Sequence, residues 1–527
     1  MKRQLAGTAA LLRLALRRDR VMMPVWVLAT SLLVVSMPNA LGSVYETAAE
    51  RATAASAMNA NSSLRALYGP VFADSLGGLT AWRAGVFAAV LAGIMSLVVV
   101  VRHTREEEET GRQELLSAAM VGRRAPLTAA LLAALLANSL VGLLITAGLA
   151  GQGATGALAL GLAVAGAGTV VATAAAVAAQ LTESARAAKG VAAAVLGAAF
   201  VLKAAGDSGA AAGESALTWA SPLGWVEHVR AFGGERWWVL ALFAAAVAAQ
   251  GALAYALAGR RDVGMSFLAG RPGPAEGRLG GTGALAWRLQ RGSLLGWSAG
   301  FLIAGLVFGG MAEGAADLVG DNAKTREIIE RMGGRSALSD AFLAAMAGML
   351  GLVAALFVVS SVLRLQAEES GQRAEPLLAH AVGRLRWAGG HLAVAFGGSA
   401  LILALGGLGL GLGHGQGAAD TAGAVGACLA QLPAVWTIGA LAVLLYGAAP
   451  RLAPAAWAVA GTALALGWVG PALNVPQAVM DLSPFTHLPK LPGATEIAWT
   501  PLALLTTLAA ALTATGLTTL RHRDLTP

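Results

Sequence analysis

The sequence predicts an all-α polytopic membrane protein: about 12 transmembrane helices arranged as two parallel-repeat six-helix halves, with an interfacial helix at the start of each half. Three observations carry that prediction. Of the 527 residues, 57% are hydrophobic and only 13% are charged, a balance too apolar for a surface facing water. Apolar stretches of about 20 residues, each long enough as a helix to cross roughly 30 Å of hydrocarbon, recur along the whole length. The 68 glycines and the many alanines suit helices packed in lipid, where small side chains let backbones approach closely. A β-barrel would need alternating strands of about ten residues, and none is apparent.

The first element is the opening stretch, "MKRQLAGTAALLRLALRRDRVMMPVWVLAT", which has a basic lead and an apolar run, as a signal peptide would. The lead is long for that role, and more membrane sequence follows it. Thr8 to Arg18 is instead expected to lie as an amphipathic helix on the inner surface. Leu11, Leu12, Leu14 and Leu16 would face lipid, with Arg13, Arg17 and Arg18 toward phosphates. Spans follow near 22–42, 82–101, 127–150, 156–181, 190–206, 238–258, 293–312, 341–363, 388–412, 423–448, 453–473 and 500–520. Both termini then share a side, whose loops carry 26 of the 37 Lys and Arg, so that side is expected to be the cytoplasm. The opposite loops near 43–80 and 313–340 are longer and look partly helical. In "NAKTREIIERMGG", Ile328, Ile329 and Met332 oppose a charged face, as in an external cap helix.

The chain repeats itself. Arg20 and Trp26 recur as Arg291 and Trp297, 271 residues on. Glu109 and Gly111 of "ETGRQELL" match Glu369 and Gly371 of "ESGQRAEPLL" at a separation of 260. Arg112, Glu114, Gly122 and Arg123 match Arg373, Glu375, Gly383 and Arg384 at 261. Ser221 and Pro222 match Ser483 and Pro484, and Arg261 and Asp262 match Arg523 and Asp524, both at 262. Ordered landmarks at nearly one spacing point to duplication. Residues 1–263 form the first expected half, 264–283 a Gly/Pro/Arg linker and 284–527 the second half. An even number of spans per half makes the repeat parallel about an axis along the membrane normal. Each half then places a charged block between its second and third spans. A plain anchoring loop would satisfy the positive-inside rule, but it leaves four consecutive acids, Glu106 to Glu109, unexplained.

The two charged loops, the surface helix, the "SP" pair ahead of each half's last span and the terminal "RRD" and "RHRD" resemble ABC-2 type exporter permeases. More narrowly, they resemble the fused two-half permeases of actinobacterial polyketide-antibiotic exporters, the tetronasin-resistance type, over essentially the whole chain. In that family the first cytoplasmic loop of each half forms a coupling helix that docks in a groove of the ATPase subunit. The resemblance carries this role to Glu109, Gly111, Arg112 and Glu114, with Glu106 heading the acidic run, and to Glu369, Gly371, Arg373 and Glu375. Gln372 and Pro376 depart from the first half, so the two docking sites are not expected to be identical. The implied partners are two ATP-binding cassette subunits, as a homodimer, which would supply ATP and Mg.

This chain itself is expected to hold no cofactor and to be no enzyme. It has no Gly-x-x-x-x-Gly-Lys-[Ser/Thr] loop to cradle phosphates, so the motor must be another polypeptide. Seven scattered His residues show no metal-ligand spacing, and the single cysteine, Cys428, excludes an intrachain disulfide. A net charge of +8 falls in short loops rather than on one face, which argues against nucleic acid. None of the twelve proposed spans contains Asp or Glu, which weakens the main alternative, a proton-coupled secondary multidrug transporter; Glu183, Glu313 and Asp340 lie only at span ends. A membrane enzyme acting on lipid would need a polar catalytic cluster, and none is visible. The sequence therefore predicts an export permease of the bacterial plasma membrane, with both termini cytoplasmic and hydrophobic or amphipathic small molecules, such as antibiotics, as cargo. Trp26, Asn138, Trp297, Phe301 and Phe308 are its candidate path residues. The segments around Ser221 and Pro222 and around Ser483 and Pro484 are its candidate outer gate.

Overall fold

The computed structural model describes residues 2–117, 121–210, 214–262, 264–267, 280–319, 338–469, 476–492 and 498–524. Among them the regular structure is helical, with no strand. The chain divides into two compact units, Met1–Gly273 and Pro274–Pro527. Eleven helices among the described residues are long and apolar enough to cross a membrane, and they cover the predicted spans except 453–473. The described helix there, Ala455–Val469, has 15 residues and so reaches about 22 Å at 1.5 Å per residue. The proposed cap helix around Ile328 and the middle of the proposed linker lie outside the described residues.

In the first unit, α1 (Thr8–Arg18) carries Arg17 and Arg18 in its last turn and is followed by a break before α2 (Met22–Val35). Two features account for the break. Pro24 has no N–H to offer the carbonyl four residues back, and its ring clashes with that carbonyl, so a helix cannot run smoothly through it. Asp19 is fully buried at the turn, where Arg102 reaches its carboxylate at 2.9 Å and His103 Nε2 at 2.6 Å. The second unit differs from expectation, because Thr282–Val319 is one unbroken helix and, among the described residues, no separate interfacial helix precedes the span. Leu295 stands where the first half has Pro24, and Gln290 replaces Asp19, so nothing interrupts the backbone ladder.

The loop opposite the charged block is partly helical, as expected. Ala48–Ala60 begins with a capping box in which Thr47 Oγ1 accepts from the Glu50 N–H and Glu50 accepts from the Thr47 N–H. Asn61 caps Ser62–Tyr68, and the Asn59 amide pairs with both backbone groups of Val71, folding the loop back on itself. The core of this unit is built on α3 (Leu76–Arg102), α4 (Ala125–Leu149) and α5 (Ala154–Leu181), whose Ala-rich faces are largely buried. In the second unit Thr282–Val319 meets Arg384–His414 through glycines. A Cβ at Gly305, Gly309, Gly409 or Gly413 would land on the carbonyl of Gly406, Leu410, Leu302 or Leu306 respectively, so only hydrogen allows this approach.

Candidate functional site

The charged loop after Leu76–Arg102 is a short helix, Arg105–Glu109, followed by a second, Arg112–Ser117. Each of its four acids has an internal partner. Glu106 lies 3.0 Å from Lys189 Nζ, and Glu109 accepts from the Ala185 N–H at 3.0 Å. Glu107 receives Arg18 from the surface helix and Arg112 at 3.3 Å. Glu108 is clamped by Arg261, whose two terminal nitrogens meet its two oxygens at 2.8 and 2.6 Å. Arg105, buried beneath the loop, donates to Glu108, to the Thr182 carbonyl and, at 2.9 Å, to that of Met265. Sequence reasoning passed over Arg105 and Glu108; the signal was an Arg heading a run of acids beside an apolar span.

The second unit builds the same device. Glu369 is 6% exposed, and Arg523 grips it in a two-pronged contact at 2.7 and 2.6 Å while Tyr446 donates to it at 2.5 Å. Glu368 takes Arg373 and Arg364, each at 2.8 Å. In each half a further arginine, Arg123 or Arg384, donates to the backbone carbonyl of the clamping arginine. Glu369 is therefore an internal residue and offers no free carboxylate at the surface. Glu109, Arg112, Glu114, Gly371, Arg373 and Glu375 are the exposed members of the predicted set.

These contacts also correct the register of the repeat. Glu108, not Glu109, occupies the position of Glu369. The left-handed residue of the loop is Gly111, φ +73°, in the first half and Gln372, φ +55°, in the second. Gly371, at φ −86° and ψ 8°, matches Thr110 at φ −86° and ψ 1°. A separation of 261 therefore holds through the whole block. The identity-matched glycines misled because a left-handed residue need not be glycine.

The predicted path residues divide. Trp297, Phe301 and Phe308 line one apolar recess of about 480 Å³ with Met349, Leu350 and Val353, floored by Gly292, Gly296 and Gly300. Trp26 packs against the first unit's core. Asn138 is fully buried and donates to Ser96 Oγ at 2.8 Å, joining two spans instead of opening onto a recess. A polar group inside a span is as readily a helix fastener as a cargo contact, since hydrocarbon offers it no partner. A second apolar recess of about 950 Å³, which the sequence did not suggest, lies among Ala427, Pro433, Leu491, Trp499, Ala503 and Thr507.

The two "SP" segments differ as well. Ser221 caps the helix Pro222–His228 and donates to the Ala199 carbonyl at 2.7 Å, pinning that helix to the fifth span. Ser483 is buried without a hydrogen bond from its hydroxyl, ahead of the single turn Pro484–His487.

Two comparisons bear on these features. The family described as multidrug efflux system permease Rv1217c, C-terminal domain, matches residues 279–521. The multidrug efflux system permease protein Rv1217c of Mycobacterium tuberculosis is 46% identical over 527 residues, covering 98% of this chain and 95% of that protein.

Proposed function

The chain belongs to the family of the multidrug efflux system permease protein Rv1217c, and from that premise we propose that it is the membrane-spanning subunit of an ATP-driven exporter of hydrophobic or amphipathic small molecules. ATP and Mg belong to a pair of separate ATP-binding cassette subunits. The observation that carries this reading is the matched pair of clamps, Glu108 with Arg261 and Glu369 with Arg523. Each ties the loop at the end of a half's second span to the end of its last span. A partner that grips the exposed Glu109, Arg112 and Glu114, or Arg373 and Glu375, thus moves two spans through one buried ion pair. On this reading the clamp ends and both termini face the cytoplasm, and the Ser221 and Ser483 segments form the outer gate.

The recess lined by Trp297, Phe301 and Phe308 is a candidate cargo contact. Its volume lies in the range of small-molecule pockets, and its lining holds no charge that would compensate an ion stripped of water. The test is to purify the chain with its candidate ATPase in lipid and reverse the charge at Glu109, Arg112 and Glu114, then at Arg373 and Glu375. Loss of cargo-stimulated ATP hydrolysis with the permease still folded is expected. Full coupling in both variants would exclude the docking role, and transport by the chain alone on a proton gradient would favour a secondary transporter.

A further inference from the structure

At the end of the first unit away from the charged loop lies a cluster of buried ionisable groups that the export reading does not use. Lys203 and Asp207, one turn apart on Ala185–Gly209, both have fully buried side chains, and the Glu227 side chain is 8% exposed. Lys203 Nζ stands 2.9 Å from Glu227 Oε1 and 3.3 Å from Asp207 Oδ2. The same ammonium also donates to the carbonyls of Ala66 and Leu67, at 3.3 Å each. An ammonium has three N–H groups, and here four oxygens crowd it. Apart from the Lys203 ammonium, no protein donor reaches either oxygen of Asp207 or Oε1 of Glu227. The two carboxyl groups are in side-chain contact with one another. Two ionised carboxylates in buried contact repel, a cost that one proton held between them removes and that a single ammonium, shared among four oxygens, offsets only in part.

Arg65 does not supply the missing donor. Its guanidinium is spent on the backbone carbonyls of Asn59, Asp207 and Ser208. The other charged groups nearby are engaged elsewhere. Arg83 lies over the Tyr68 ring at 4.4 Å, and Arg230 and Arg236 reach Glu214 at 3.2 and 3.0 Å. His228, the neighbour of Glu227, turns to Thr218 and stacks on Trp219. Glu227 and Arg230 line a small cavity of about 30 Å³ with Tyr68, Phe72 and Trp82, room for a water or two that could carry a proton inward. The matching positions of the second half do not carry these groups: at the 262 separation, Lys203, Asp207 and Glu227 correspond to Ala465, Val469 and Pro489.

We propose that Asp207 and Glu227 form a proton-binding site, one proton shared between the two carboxyl groups beside Lys203, and that loss of this proton loosens the Pro222–His228 helix from the fifth span. This goes beyond the export reading and would hold whatever drives transport. Burial pushes the Glu227 carboxyl well above its usual range, the Lys203 charge offsetting part of that and Asp207 adding to it. A raised value means the contact is firm in acid and weakens as pH rises through that value. With these groups in the first unit and not at the matching positions of the second, the two candidate gate segments would answer differently to pH.

Infrared difference spectroscopy of the full chain in phospholipid nanodiscs, titrated from acid to alkaline pH, tests this. The expected result is a protonated-carboxyl C=O band that persists above the ordinary carboxyl range, bleaches as pH rises further and shifts in D2O. Glu227→Gln and Asp207→Asn should each abolish it, because the remaining carboxylate then ionises against Lys203, while Glu214→Gln should keep it. Absence of the band in the wild-type chain, or its survival in both variants, would overturn the site. Should those variants not fold, hydrogen exchange of the wild-type chain decides. After correction for intrinsic rates, protection of residues 199–230 should fall with rising pH while that of residues 88–100 holds, and unchanged protection of both would refute the proposal.

Discussion

Arg523 and Glu369 set the clearest residue-scale expectation. Truncating Arg523 to Ala removes the paired guanidinium from a buried, ionised carboxylate, and breaking such a pair costs about 3–5 kcal/mol. A drop of several degrees in the melting temperature of the detergent-purified chain is expected. Arg523→Lys should recover only part of it, because an ammonium cannot make the paired contact. His228 gives a pH expectation. Burial, then the nearby Arg236 and Arg230 charges, lowers its pKa from 6.5 to about 4. The folded state therefore prefers the neutral ring, and that contribution, complete above the ordinary value, is lost as pH falls toward about 4. Melting curves should show the loss over that window in the wild-type chain and a smaller one in His228→Phe, which keeps the stack on Trp219; an equal loss in both would remove His228 as the cause.

At the scale of elements, the left-handed residues and the glycine contacts make opposite demands. Gly111 has open space around a would-be Cβ, so Gly111→Ala suffers only backbone strain, about 1 kcal/mol. Gln372 already carries that strain in the other half, and Gln372→Gly should raise the melting temperature slightly. If both substitutions lowered it, the loops would not share the geometry described. Between Thr282–Val319 and Arg384–His414 the limit is steric. Gly309→Ala pushes a methyl into the Leu410 carbonyl and should cost about 1–3 kcal/mol, whereas Gly296→Ala meets nothing and should fold normally. Equal melting temperatures for these two variants would argue against the close crossing.

For the whole molecule, the export reading predicts separable defects. Trp297→Ala and Phe301→Ala enlarge an apolar recess, so they should raise the cargo concentration needed for half-maximal stimulation of ATP hydrolysis while leaving unstimulated hydrolysis in place. Loss of both activities together would mark these aromatics as structural. Much of this architecture was legible in the chain beforehand. Hydropathy and length reveal spans because every backbone group in lipid must be satisfied within its own helix, a local condition. The repeat was legible from short ordered matches such as Arg123 with Arg384. The partners of the charges were not. Glu108 meets Arg261 across 153 positions and Glu369 meets Arg523 across 154, and only packing brings such residues together. The same limit hid the role of Asn138, whose partner Ser96 lies on another span, and misplaced the repeat by one residue where a glycine identity stood in for a backbone angle. Lys203 left a visible trace, a cation inside an apolar stretch, yet its meaning depended on Glu227 arriving from a separate helix. The sequence alone thus determined a helical, multi-span membrane chain, because burial in lipid is written residue by residue. Only the tertiary structure decided which charges clamp, which lie buried together and which remain on the surface, because those fates depend on what long folding distances bring within about 3 Å.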